Sequence, residues 1–161
     1  MRPYVEEGMT VLDVGCGMGF FSLPLAKLVG EKGRVVCIDL QGKMIGGLVA
    51  RAKKAGLAGR IDARVCSESS LGVGDLAGKI DFALAFALVH EVPHKDILFS
   101  EIHHTMKPAG NFLLAEPSGH VSKQDFERSV SHAKSMGFEM AGDLKIRRSH
   151  AVLLKAISNS E

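Results

Sequence analysis

The stretch Val11-Leu12-Asp13-Val14-Gly15-Cys16-Gly17-Met18-Gly19-Phe20 decides how the rest of the chain is read. Val11, Leu12 and Val14 are strand formers bounded by Gly8 and Gly15. Three glycines on alternate positions then give a backbone that takes positive φ and puts no Cβ in the way of a ligand. A helix follows, with Phe21, Leu25, Leu28 and Val29 on one side. Its first N–H groups are expected to point into the turn, a place that suits an anion or a polar, nucleotide-like ligand. Asp13 adds a fixed negative charge at the same spot, which favours a ligand with a cationic end over one that is only phosphate.

The glycine spacing separates the candidate ligands. The dinucleotide fingerprint is G-x-G-x-x-G. Here the pattern is Asp13-x-Gly15-x-Gly17-x-Gly19, and Phe20 stands where the third dinucleotide glycine belongs. No Gly-Lys-Ser/Thr follows, so the phosphate-binding P-loop is excluded as well. A strand–helix turn whose glycines serve tight packing and no ligand is the alternative.

The chain has 161 residues, of which 46% are hydrophobic and 24% charged, an ordinary balance for one globular domain. The domain is read as 1–161 throughout. A formal net charge of +2 gives no electrostatic case for nucleic acid. The longest apolar run, Phe82 to Val89, is eight residues, too short for a membrane span. No apolar signal-peptide region is visible at the start. Three cysteines, Cys16, Cys37 and Cys66, are read as reduced thiols of a cytoplasmic protein.

Strands and helices alternate along the chain, which predicts an α/β protein with a mostly parallel sheet. A second strand covers Arg34 to Ile38 and ends at Asp39, 26 residues after Asp13. A carboxylate at that tip accepts hydrogen bonds from both hydroxyls of a ribose, or else caps the next helix. That helix, about 41–55, carries Met44 in its first turn and two mid-helix glycines, each costing about 1 kcal/mol against alanine. A third strand, about 60–65, leads to the polar loop Cys66-Ser67-Glu68-Ser69-Ser70. Ser67 and Glu68 there are candidates for an adenine edge or for a helix cap. A fourth strand, 79–86, is apolar on both faces from Phe82 onward, as a central strand should be.

The segment His90-Glu91-Val92-Pro93-His94 matches the H-E-x-x-H zinc-peptidase signature. That motif needs both histidines on one face of a continuous helix. Pro93 fits only at a helix start, so His90 falls before the helix, the match is accidental and no metal ligands are assigned. The helix is expected from Pro93 to Met106, burying Leu98, Ile102 and either Thr105 or Met106, and ended by Lys107-Pro108-Ala109-Gly110. A fifth strand, 111–115, ends at Glu116-Pro117. Ser122 caps a last long helix, with Asp125 three residues on and the stripe Phe126, Val130, Ala133, Met136. Two strands, about 139–147 and 151–157, close the chain through the short turn 148–150 and are therefore antiparallel.

In order and spacing these features resemble class I S-adenosylmethionine (SAM)-dependent methyltransferases, most of all the small-molecule branch with the quinone-biosynthesis and arsenite enzymes. The resemblance rests on Asp13 to Gly19, Asp39, the Lys107-Pro108-Ala109-Gly110 turn and the closing strand pair. It implies a Rossmann-like seven-stranded sheet in the order 3-2-1-4-5-7-6, strand 7 antiparallel, with helices on both faces. It further implies SAM as cofactor, S-adenosylhomocysteine as product and a small-molecule methyl acceptor. Carried over residue by residue, Asp13 and the turn Gly15, Cys16, Gly17, Gly19 hold the methionine end and Asp39 the ribose. Leu40 and Met44 then flank the adenine, and Phe86 with Ala87 lines the transfer site. Family members often have an acidic residue where Ser67 stands here, with Glu68 next to it. His90 is the best placed base for an acceptor that must lose a proton, with Glu91 and His120 behind it. Bound metalloid needs several thiolates together, and the three cysteines lie at the ends of different strands.

The first strand begins within a dozen residues of the start, with no helical segment ahead of it to cover the acceptor. Open access, a late-starting chain, or a lid from a second subunit in a homo-oligomer would each account for this. The rival from another class is a SAM-binding regulatory module without catalysis.

Overall fold

The structure is a computed structural model and describes residues 3–158. Its elements are β1 (Thr10–Val14), α1 (Ser22–Leu28), β2 (Arg34–Asp39), α2 (Gly42–Lys54), β3 (Ile61–Val65), β4 (Ile80–Phe86), α3 (Lys95–Thr105), β5 (Met106–Pro117), α4 (Lys123–Ser135), β6 (Phe138–Asp143) and β7 (Ser149–Ala156). They build one seven-stranded sheet in the order β3-β2-β1-β4-β5-β7-β6. β1 to β5 pair in parallel, and β7 runs antiparallel to both β5 and β6. This is the expected Rossmann-like topology.

Period-two alternation divides the core into two layers. Leu12, Val14, Val36, Ile38, Ala83 and Ala85 face α3 and α4, where Phe99, Ile102, Phe126 and Val130 complete one cluster. Val11, Val35, Cys37, Phe82 and Leu84 face α1 and α2, where Leu25, Ile45 and Leu48 complete the other. Asp13 shares this second face and is therefore carried into the core beneath α1. Ser122 caps α4 as its sequence predicts, its Oγ accepting from the Asp125 N–H at 3.1 Å.

Three boundaries differ from expectation. The helix expected at Pro93 begins at Lys95, with His94 as its N-cap. Val92, held out of the helical region by the following proline, is extended at φ −84°, ψ 121°. The Lys107-Pro108-Ala109-Gly110 run lies inside β5 as a bulge. Ile80 pairs with Met106 but Phe82 with Asn111, and Ala109 sits at φ 60°. The closing hairpin turns at 144–148 rather than 148–150. Leu144 and Ile146 leave the edge to pack on the α1–α2 face, and Arg148 takes φ 57° to re-enter β7.

Candidate active site at the carboxyl edge of the sheet

In parallel α/β sheets ligands bind outside the carboxyl ends of the strands, where the strand order reverses. β1 and β4 are neighbours here, with β2 and β3 to one side and β5 to the other. The glycine turn leaves β1 at that point. Gly15, Gly17 and Gly19 have φ of 72°, 53° and 89°, so the conformation needs glycine at all three.

The turn closes on itself more than expected. The Gly15 and Cys16 N–H groups both donate to the Ile38 carbonyl, at 2.8 and 3.0 Å, and the Gly19 N–H donates to the Cys16 carbonyl at 3.0 Å. The Gly17 N–H donates to Asp39 Oδ2 at 2.9 Å. These four donors are spent within the protein, so they form no phosphate cradle.

Asp39 braces the turn to the start of α2. Its second oxygen accepts from the Gln41 N–H at 2.9 Å. Gln41, not Asp39, is the N-cap residue of α2. Each carboxylate oxygen of this half-buried residue has one protein partner and a further lone pair to offer.

Asp13 is 2% exposed and accepts from Ser22 Oγ at 2.6 Å. Burial pushes its carboxyl up from 3.8 to about 6. The Ser22 hydrogen bond opposes that shift, and the nearby Asp39 charge adds to it. The neighbouring Cys37 thiol and burial together push the Cys16 thiol up, and burial followed by the Asp39 charge raises Cys66. All three cysteines are free thiols.

A cavity of about 250 Å³ opens between the β1, β2, β3 and β4 tips. Of the residues assigned to the cofactor or the transfer site from the sequence, Gly15, Asp39, Leu40, Ser67, Glu68 and Ala87 line it. Cys16 is buried beneath the turn, while Gly17 and Gly19 shape the turn itself. Met44 lies half-buried in the first turn of α2, outside the lining. Phe86 faces the α1 side, its ring 4.8 Å from that of Phe21, which in turn meets the exposed Phe20.

Ala87, at φ 55°, turns the chain out of β4 into a short 3-10 turn, Val89–Glu91. Leu88 comes back over the glycine turn, so a Cβ on Gly15 would lie 2.8 Å from its side chain. His90 sits on the 3-10 turn and His94 ahead of α3, with Pro93 between them, so the two share no helix. Among the described residues no cluster of three or more His, Cys, Asp or Glu side chains is placed to hold a metal ion.

The 3-10 turn is tied to β5 by a residue that sequence reasoning missed. Glu116, 1% exposed, accepts from the Val89 N–H at 2.6 Å, and its other oxygen meets His90 Nδ1 in a short contact. The available signal was an acid directly after the apolar run Phe112 to Ala115, a position that burial would punish without a partner. His90, Glu116 and His120 line a second cavity of about 270 Å³, while Glu91 lines the first.

The residues fit SAM: a turn that is no phosphate cradle, a carboxylate with spare lone pairs for a diol, and an apolar wall at Leu40, Leu88 and Leu98 in the first cavity.

Comparison with known proteins agrees. The model of a family described as a methyltransferase domain matches residues 5–153. A ubiquinone/menaquinone biosynthesis C-methyltransferase of Brucella anthropi is 32% identical over 116 residues, 72% of this chain. The aligned stretch is 43% of that relative's length. A SAM-dependent methyltransferase of Aquifex aeolicus superposes with a TM-score of 0.83 at 24% identity, covering 95% of this chain and 85% of that one. Fibrillarin of Aeropyrum pernix, solved with natively bound SAM, gives 0.75 at 17%, covering 95% and 68%. The chain belongs to the methyltransferase-domain family and has the fold of SAM-dependent methyltransferases.

Proposed function

We propose that the protein transfers the methyl group of SAM to a small-molecule acceptor, with a ring carbon of a quinol-type aromatic as the target suggested by its curated relatives. The observation that carries the reading is the glycine turn braced onto Asp39 at the mouth of the 250 Å³ cavity. When bound, SAM supplies a methyl group on a sulfonium, already joined to a good leaving group.

The chain's own residues then have three tasks. Asp39 holds the ribose hydroxyls with its spare lone pairs, while Leu40 and Met44 flank the base and Ser67 or Glu68 takes its amino group. Asp13 lies behind the turn against Ser22, so it acts on the methionine end through its charge and through the turn's shape, not by contact. His90 takes the proton that a hydroxyl or an acidic ring carbon must lose. In-line placement and exclusion of water supply most of the rate. Phe21 and Phe86 give the α1 side of the β4 tip an apolar wall that suits an aromatic acceptor.

No helix among the described residues is long and apolar enough to cross a membrane. The free thiols suit a cytoplasmic setting.

The test is incubation with methyl-labelled SAM and 1,4-dihydroxynaphthalene kept reduced. Ring-methylated product and S-adenosylhomocysteine in equal amounts are expected. SAM binding with no transfer to this probe or to a pool of cell metabolites would reduce the protein to a SAM-binding module.

A further inference from the structure

We infer that Glu116 is a positioning residue for His90: it holds the imidazole with its proton on Nδ1 and leaves Nε2 free at the edge of the cofactor cavity. The inference rests on the methyltransferase reading and adds to it the nitrogen that takes the proton and the class of acceptor that needs it.

The geometry starts from burial. Glu116 ends the apolar part of β5 at 1% exposure, where an ionised carboxylate persists only if its oxygens find donors. Oε1 has the Val89 N–H and Oε2 has His90 Nδ1. Its ionic partner within 4 Å among the described residues is His90, while Lys95 and Arg128 line the same cavity without pairing to it. Both donors come from the single turn Val89–Glu91, and the Val89 side chain is fully buried beneath that turn. One carboxylate therefore fixes the turn's backbone and the ring it carries.

With a carboxylate oxygen facing Nδ1, only one neutral tautomer makes that hydrogen bond. The proton sits on Nδ1, and Nε2 keeps its lone pair. That nitrogen points the other way, 3.7 Å from Glu91 Oε1, too far for a hydrogen bond. His90 itself lines the Glu116 cavity and Glu91 lines the cofactor cavity, so Nε2 faces a side chain that borders the cofactor's side.

In the reaction the acceptor's carbon or oxygen forms a bond to the methyl as the sulfur–methyl bond breaks, and the sulfur keeps the electron pair. The proton displaced from the acceptor passes to Nε2. The resulting imidazolium is held by the Glu116 carboxylate through Nδ1–H, without a second proton transfer. The acceptor class is thus protic: a phenol, a hydroquinol or an activated ring carbon.

Glu116→Gln tests this with little change of shape. The glutamine oxygen still accepts from Val89, but its NH₂ now faces Nδ1 and drives the proton to Nε2. Nitrogen–carbon correlation spectra of protein labelled in histidine read the tautomer directly, with His90 assigned by its loss in His90→Gln. The expected result is an unprotonated Nε2 in the wild type and a protonated one in Glu116→Gln. Turnover with 1,4-dihydroxynaphthalene falls roughly 10²-fold or more, while SAM affinity, acceptor KM and melting temperature are unchanged. The same tautomer in both proteins, or equal turnover, overturns the inference. The spectra need neither SAM nor acceptor. Failure of the wild type to bind SAM would therefore count against the methyltransferase reading while the tautomer assignment is still decided.

Discussion

On the β1–β2–β3 side of the carboxyl edge the site is made of backbone. Three positive-φ glycines fold a turn whose N–H groups close onto the Ile38 carbonyl and Asp39. On the β4–β5 side it is made of two side chains, His90 and Glu116, 26 positions apart and joined across neighbouring strands. The first construction tolerates few residue types but fixes a shape that any SAM-dependent enzyme can use. The second costs the burial of a carboxylate and, in the function proposed, supplies chemistry that depends on the acceptor. A shared cofactor needs a constant shape, and a variable acceptor needs exchangeable side chains.

If the two halves are separable, their variants should fail in different measurements. His90→Gln should lower turnover by about 10²–10⁴ and leave SAM affinity alone. Steady-state rates alongside calorimetric titration check this, and equal losses in both would merge the halves.

Asp39→Ala should weaken SAM binding by about 1.5–3 kcal/mol, the range for hydrogen bonds to a charged group. Because Asp39 also serves the Gly17 and Gln41 N–H groups, the same change should cost about 1 kcal/mol of folding stability. Asp39→Asn keeps one acceptor and should recover part of the stability but not the affinity. Urea melts beside titrations separate the two, and full affinity in Asp39→Ala would make Asp39 a brace alone.

Asp13→Asn probes the charge behind the turn. The folded-state carboxyl is raised from 3.8 to about 6, so the native state binds the proton more tightly than the unfolded chain. The stability contributed by this group is fully present below about pH 4 and is lost as pH rises through about 6. The asparagine variant escapes that loss and should be more stable than the wild type by roughly 1–3 kcal/mol above that window, with the difference shrinking toward its acid end. Urea unfolding across the range checks the sign, and a pH-independent difference would remove Asp13 as the cause.

Gly17→Ala should be the mildest change. An added Cβ meets no atom within 4 Å, so only the left-handed backbone is strained, at about 1–2 kcal/mol. Thermal melts report it, and a collapse of the fold would mean that the turn carries more than local strain.

The backbone half was the legible half. A contiguous pattern at Asp13 to Gly19 and an acid at the β2 tip are written locally, and alternating strands and helices with a short closing turn give the sheet order once the family likeness is seen. Legibility failed where a distant partner sets the outcome. Leu144 and Ile146 pack on the far side of the sheet instead of extending β6, and nothing in their own neighbourhood announces it. Lys107 to Gly110 reads as a helix-ending turn, yet β4 draws it into a bulged strand. Pro93 is permitted at a helix start but sits two residues early, because His94 takes the cap. Glu116 was visible only as the end of a strand, since its meaning lies in the ring it holds. The turn's inward-facing N–H groups were hidden for the same reason: the Ile38 carbonyl that accepts two of them belongs to β2.

The most direct test of the account is calorimetric titration of the purified protein with SAM, S-adenosylhomocysteine and NAD under one set of conditions. A turn closed on Asp39, with Phe20 in place of the third dinucleotide glycine, predicts saturable binding of SAM and S-adenosylhomocysteine and no heat with NAD. Tight NAD binding with no response to SAM would contradict it.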